Sequence, residues 1–219
     1  MSTKEGALTK ILILLSLAAA VAFFIGLYLD HFALRMVAKP VPVLCIALWV
    51  YRGKRGRYGN LITGGLVLSA VGDLLLEWGE QTFLAGVLAF LLAHIFYTSA
   101  FFERTRVFKP VYAVPFAVWG IVVYALLLPH LGDMTIPVAL YVAVICTMMW
   151  RAAAQTETKE VSRADARAGA LGAVSFGLSD TLIALNRWYH PMPEVRYLII
   201  ALYWLGQLGI GISTRRRPE

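Results

Sequence analysis

Apolar runs of about 20 residues dominate the chain, and short polar segments separate each run from the next. A hydrocarbon layer about 30 Å thick requires about 20 helical residues, because each residue adds about 1.5 Å along the helix axis. The pattern therefore predicts an all-α membrane protein: a single polytopic domain, residues 1–219, folded as a bundle of eight transmembrane helices. The predicted spans are about 8–29, 32–51, 58–78, 82–103, 110–129, 135–153, 167–187 and 194–213.

The second predicted span contains an internal interruption. Pro40 and Pro42 follow Lys39 within an otherwise apolar run. Proline lacks a backbone N–H and clashes with the preceding helical turn, so a kink or a break is expected here. Non-helical backbone at membrane depth is tolerated where it is buried in protein or lines a cavity.

The basic residues of the chain lie between the spans. Hydrophobic residues make up 59% of the chain and the mean hydropathy is +0.70, yet the formal net charge is +7. With both termini in the cytoplasm, all but four of the 20 lysines and arginines fall on the inner side, as expected for membrane proteins. The four exceptions are Arg35, Lys39, Arg187 and Arg196. The charge therefore indicates topology, with membrane lipids and no nucleic acid as expected partners.

Asp73 is a carboxylate within the third predicted span. An ionised side chain in hydrocarbon costs several kcal/mol, so it indicates a functional site. One helix face is formed by residues four apart: Gly65, Ser69, Asp73 and Glu77. Small residues on this face let a neighbouring helix approach closely, which predicts that Asp73 points into the bundle. A structural carboxylate satisfied by hydrogen bonds is the alternative.

The seventh predicted span repeats this design around Asp180. A stripe of small residues precedes it: Gly169, Ala173 and Gly177. Further polar residues lie near the same end: Ser179, Thr181, Asn186 and Arg187. Both spans run from inside to outside, so Asp73 and Asp180 should lie at nearly the same depth, about 8–10 Å below the outer end. Two carboxyl groups that share a desolvated site tend to differ in protonation, which makes the pair competent as general acid and general base.

Metal chemistry and nucleophilic serine chemistry find little support. His94 and Tyr97 share a face of the fourth span, but catalytic zinc usually takes three protein ligands, and the other histidines map to outer loops. No metal or other cofactor is therefore expected, and His94 is interpreted as a hydrogen-bonded histidine that orients an aspartate or titrates with it. The sequence contains no GxSxG, P-loop or GxGxxG motif.

Four short motifs, in this order, resemble the YhhN family of integral membrane proteins. They are Lys39-Pro40, Gly72-Asp73, the pair His94 and Tyr97, and Ser179-Asp180 followed by TLIALNRW. The likeness covers nearly the whole chain, including the layout of eight spans. Characterised members of the family are lysoplasmalogenases. The resemblance therefore implies hydrolysis of the vinyl-ether bond of a lysophospholipid substrate, the lysoplasmalogen, to a fatty aldehyde and a glycerophospho-head group.

The resemblance also suggests roles for single residues. Asp73 and Asp180 are the expected catalytic pair, because glycoside hydrolases use two carboxyl groups for a similar oxocarbenium-like transition state. Lys39 or Arg187 is expected to hold the lipid phosphate at the outer rim. Glu77 fits a supporting role and a plain interfacial acid equally well. The expected location is the bacterial inner membrane, with the active site opening toward the outer side.

The same features are compatible with two other classes of function. Paired membrane carboxylates and a proline-broken helix also suit a proton-coupled membrane transporter. A lipid-binding membrane protein is the third class, and it would tolerate loss of either aspartate. The residues alone favour the transporter and the hydrolase about equally, and the family resemblance ranks the hydrolase first.

Overall fold

A computed structural model of the 219-residue chain describes residues 3–53, 56–106, 108–157 and 162–215. Within these ranges all regular structure is helical. The helices are α1 (Thr3–Tyr28), α2 (Phe32–Ala38), α3 (Val41–Arg52), α4 (Gly56–Trp78), α5 (Phe83–Arg104), α6 (Val114–Leu127), α7 (Thr135–Ala154), α8 (Arg163–Ala184) and α9 (Val195–Ile212). Eight helical segments of the described chain are long and apolar enough to cross a membrane, with α2 and α3 forming one of them, so the predicted count is confirmed.

The predicted break in the second span is present between α2 and α3. Helix α2 ends at Ala38, and α3 begins at Val41. The N–H of Lys39 still donates to the carbonyl of Arg35 at 3.0 Å, but Pro40 has no N–H with which to continue the ladder. The interruption is therefore confined to Lys39 and Pro40, and it leaves the Lys39 side chain at the junction of two short helices.

The chain groups into two compact units, residues 1–96 and 97–219. The prediction of a single domain stays a prediction. In the first unit α3 packs against α4 and α1. In the second unit α8 packs along α9, and α7 lies against α6 and α8.

Two glycines of α4, in the first unit, pack against aromatic rings of α5. A methyl group built on Gly72 would lie 2.7 Å from the ring of Phe90, and one built on Gly64 would lie 2.7 Å from the ring of Phe96. These two α5 rings therefore occupy the space above α4 that a side chain would otherwise need. Gly72 directly precedes Asp73, so this contact restrains α4 next to the candidate carboxylate.

Helices α8 and α9 of the second unit approach backbone to backbone. A methyl group on Gly172 would lie 2.7 Å from the carbonyl oxygen of Gly206, and one on Gly209 would lie 2.5 Å from the carbonyl oxygen of Ala168. Only glycine permits this approach, as in other membrane helix pairs with small residues at the interface. Two residues of the predicted stripe Gly169, Ala173 and Gly177 are also in close contacts. Gly169 packs against Ser213, directly after α9, whereas Gly177 packs against the sulfur of Met149 on α7.

Two serine hydroxyls add hydrogen bonds between α8 and α9. Ser175 donates to the carbonyl of Leu202 at 2.7 Å, and Ser179 donates to the carbonyl of Ile199 at 2.9 Å. Such bonds between membrane helices contribute on average about 0.6 kcal/mol each. Together with the glycine contacts, these bonds fix the rotation of α8 about its axis. That rotation determines the direction in which the Asp180 side chain points.

Candidate active site

Asp73 lies on a buried face of α4. Its relative exposure is 1%, and Gly65 and Ser69, one and two turns earlier, are also buried. The predicted burial of this face is therefore confirmed. A carboxylate that is withdrawn from both lipid and water is the arrangement expected for a functional group inside a membrane protein.

Glu77, one turn after Asp73, accepts hydrogen bonds from two cations. The Nε of Arg35 donates to Oε1 at 2.7 Å, and the Nζ of Lys39 donates to Oε2 at 3.2 Å. The side-chain exposures are 7% for Glu77, 11% for Arg35 and 15% for Lys39. The three residues, called here the Glu77 cluster, join α2 and the α2–α3 break to α4.

Arg35 also bonds outside the cluster. Its Nη1 donates to Oδ1 of Asp30 at 2.7 Å and to the carbonyl of Gly26 at 3.4 Å. Asp30 lies in the turn between α1 and α2, where its side chain is 87% exposed and its φ is +51°. One edge of the guanidinium therefore faces a buried carboxylate, and the other faces a carboxylate at the surface.

The two motif residues of α5 fall in different units. His94 is fully buried in the first unit. Tyr97 is fully buried in the second unit, where its hydroxyl donates to Oε1 of Gln207 at 2.7 Å and its ring lies edge-on to Phe176 at 6.4 Å. Tyr97 thus links α5 to α9, and its predicted supporting role stays a prediction.

Asp180 is fixed by a tyrosine from α7. The hydroxyl of Tyr141 donates to Oδ2 of Asp180 at 2.6 Å. The indole N–H of Trp119, on α6, donates to the neighbouring Thr181 at 3.2 Å. Both α6 and α7 therefore bond to α8 at the level of Asp180.

The end of α8 widens into a single π-helical turn, Leu185–Tyr189. The turn contains Asn186, whose Oδ1 accepts from the N–H of Met192 at 2.5 Å, and Arg187, which is exposed. The Arg187 guanidinium lies 5.8 Å from the ring centre of Trp188. Single π-helical turns occur frequently at functional sites. The roles predicted for Asn186 and Arg187 stay predictions.

Of the predicted site residues, the structure brings Lys39 and Glu77 into contact within the first unit. The convergence of Asp73 with Asp180 stays a prediction. Three polar partners escaped sequence reasoning: Arg35, Tyr141 and Gln207. Arg35 could have been noticed as one of the few basic residues on the predicted outer side, whereas Tyr141 and Gln207 lie in apolar runs without a distinctive pattern.

Among the residues that the structure describes, no three histidine, cysteine, aspartate or glutamate side chains lie close enough together to hold a metal ion. The expectation of a metal-independent site stays a prediction. Cys45 is buried and Cys146 is half-buried, each within a span.

An apolar groove of about 370 Å³ lies between α6 and α7. It is lined by Ala113, Ala117, Gly120, Ile121, Tyr124, Ala139, Val142, Ala143, Cys146, Thr147 and Trp150. A groove of this composition on a membrane-spanning hairpin suits a hydrocarbon chain, because it offers apolar contact without ion pairs.

Comparison with known proteins gives consistent matches. The family model of the YhhN family matches residues 34–214. The chain is similar to human lysoplasmalogenase TMEM86A, with 36% identity over 195 residues that cover 83% of this chain and 78% of the human protein. It is also similar to human lysoplasmalogenase TMEM86B, with 35% identity over 190 residues and coverage of 83% and 76%. A lysoplasmalogenase of Mycobacterium tuberculosis is 33% identical over 169 residues, covering 72% of this chain and 61% of that protein. No solved structure matches the chain.

Proposed function

Because the chain belongs to the YhhN family, we propose that it is a lysoplasmalogenase-like hydrolase that cleaves the vinyl-ether bond of a lysoplasmalogen. The substrate is a lysophospholipid, and the products are a fatty aldehyde and a glycerophospho-head group. The observation that carries the proposal is the placement of Asp73 and Asp180 on membrane-spanning helices, with Asp73 buried and Asp180 held by Tyr141.

The reaction needs one acid and one base. A proton is added to the β-carbon of the O–CH=CH unit, and the positive charge that results is shared between the α-carbon and the ether oxygen. Water then adds to the α-carbon and loses a proton, which forms a hemiacetal. The hemiacetal hydroxyl then loses its proton as the aldehyde carbonyl forms and the bond to the glyceryl oxygen breaks, and the glyceryl oxygen takes up a proton and leaves as the head-group alcohol. One water molecule is consumed, and no electron acceptor is needed.

The two aspartates divide these steps. One carboxylic acid donates the proton to the β-carbon, and the other carboxylate stabilises the cation and removes a proton from the attacking water. Both roles are favoured in a site with little water, where a carboxylate interacts more strongly with a developing cation. Tyr141 contributes by holding one oxygen of Asp180, so that the carboxyl plane keeps one orientation during the reaction.

The other predicted polar residues have supporting roles. Ser179 sets the rotation of α8 through its bond to Ile199, and Asn186 shapes the π-helical turn through its bond to Met192. Tyr97 holds α5 against α9 through its bond to Gln207, and His94 is a buried polar group of α5. The alkenyl chain lies among apolar helices, where burial of each methylene contributes about 0.8 kcal/mol.

The chain is a multi-pass membrane protein. We further propose that both termini lie in the cytoplasm, because that orientation places most basic residues inside. The site then opens toward the outer side of a bacterial inner membrane. Asp30, in the turn between α1 and α2, lies on that outer side.

The proposal is tested with purified protein in detergent. Lysoplasmalogen should yield one equivalent of fatty aldehyde, and the matched alkyl-ether lysophospholipid, which lacks the double bond, should remain intact. The saturated substrate is the control because it cannot form the cation by protonation. Absence of aldehyde, together with transfer of unchanged lipid or protons across sealed vesicles, would replace the hydrolase by a transporter.

A further inference from the structure

The Glu77 cluster carries an unequal number of charges. Arg35 and Lys39 supply two positive charges, and Glu77 supplies one negative charge. Asp30 bonds to the outer edge of Arg35 and supplies a second negative charge. The outer edge of Arg35 is therefore occupied by a single monovalent anion at the surface.

Asp30 lies at the level expected for the membrane surface. The turn that carries Asp30 connects two membrane-spanning segments, and its neighbours Tyr28, Leu29 and Phe32 are exposed apolar or aromatic side chains. Aromatic residues of this kind are enriched at the level of the lipid headgroups. Arg35 lies within one helical turn of Phe32, where its span begins, and is therefore within reach of a phosphate at that level.

We propose that Arg35 binds the phosphate of the lysophospholipid substrate, and that Asp30 occupies the same edge of the guanidinium when no lipid is bound. This assignment rests on the proposed function for its substrate class. It moves the phosphate site from Lys39 and Arg187, predicted from the sequence, to a residue that the sequence did not single out. The phosphodiester of a lysophospholipid carries one negative charge, which matches the charge that Asp30 supplies.

The two carboxylate partners of Arg35 differ in how readily they can be exchanged. Glu77 is 7% exposed, and separating it from Arg35 would break a buried ion pair, which is strongly unfavourable. Asp30 is 87% exposed, so its carboxylate can return to water at little cost. Arginine presents several N–H groups in a planar fork that suits phosphate oxygens. Replacement of Asp30 by a lipid phosphate at the outer edge of the Arg35 guanidinium therefore leaves the Glu77 cluster intact.

The test measures binding and so does not require turnover. Purified protein is titrated with an alkyl-ether lysophosphatidylcholine, which is not a substrate, with the 1-alkylglycerol of the same chain length, which lacks the phosphate, and with inorganic phosphate. Asp30→Asn removes the competing carboxylate and should raise the affinity for the phosphate-bearing lipid about two- to fivefold. Arg35→Gln should lower that affinity about tenfold or more. Neither change should alter binding of the alkylglycerol.

Asp133→Asn is the matched control, because Asp133 is an exposed carboxylate in a loop of the other unit. It should change none of the three affinities. Arg35→Gln removes a buried ion pair and can impair folding, whereas Asp30 is at the surface. The affinity of Asp30→Asn therefore decides whether the proposal holds. An unchanged lysophospholipid affinity in Asp30→Asn, or an equal change for the alkylglycerol, overturns the proposal. Equal binding of inorganic phosphate and lipid would assign the site to free phosphate and overturn it too. Aldehyde release by wild-type protein is measured in parallel, so failure of the proposed function is seen separately.

Discussion

Tyr141→Phe tests whether Asp180 must be held in one orientation. The substitution removes one oxygen atom and leaves the ring in place. The bond that is lost is short, 2.6 Å between the tyrosine oxygen and Oδ2 of Asp180. Hydrogen bonds to charged groups contribute about 1.5–3 kcal/mol. If that energy is expressed in the transition state, kcat should fall by about 10- to 150-fold, since about 1.4 kcal/mol corresponds to a factor of ten.

Fatty aldehyde release under single-turnover conditions measures this effect, with thermal unfolding in detergent to confirm that the variant is folded. Tyr124→Phe is the matched control, because the Tyr124 hydroxyl donates to the backbone carbonyl of Thr135 at 3.2 Å in the same unit. The control should lose only a little stability and keep its kcat. Wild-type kcat in folded Tyr141→Phe would refute the positioning role of Tyr141. A rise in KM alone would also refute it, because it would mean that only substrate binding had changed.

Two further predictions concern the helix interface and metal dependence. Gly172→Ala places a methyl group against the carbonyl of Gly206 and should lower the free energy of unfolding by about 1–3 kcal/mol, measured by thermal or denaturant unfolding in detergent; an unchanged unfolding transition would contradict the close approach of α8 and α9. Exhaustive chelation should leave aldehyde release at the wild-type rate, and activity that is lost to chelation and restored by added zinc would contradict the two-carboxylate mechanism.

Features that depend on neighbouring residues along the chain could be predicted from the sequence. The number of spans follows from the length of apolar runs, and the break after Ala38 follows from the chemistry of Pro40. The buried face that carries Asp73 follows from the spacing of small and polar residues along one helix. Each of these properties is set within a few turns of helix.

Partners on different helices could not be predicted in this way. Arg35 lies 42 residues from Glu77, and Tyr141 lies 39 residues from Asp180. Which side chains meet depends on how each helix is rotated about its axis. That rotation is set by close contacts such as the one between α8 and α9, and many small residues in the sequence could serve in such a contact. Tyr141 illustrates the difficulty, because a tyrosine in an apolar run is compatible with packing alone.

The most direct test of the central claim is the turnover of Asp73→Asn, Asp180→Asn and the double variant, each purified and shown to be folded. Each single substitution should reduce kcat for aldehyde release by about 100-fold or more, because it removes one of the two groups that transfer protons. The double variant should be no slower than the slower single variant, since residues that act as a unit show non-additive losses. Asp133→Asn, at an exposed loop position, should retain wild-type kcat. Near wild-type kcat in either folded single variant would contradict the paired-aspartate mechanism.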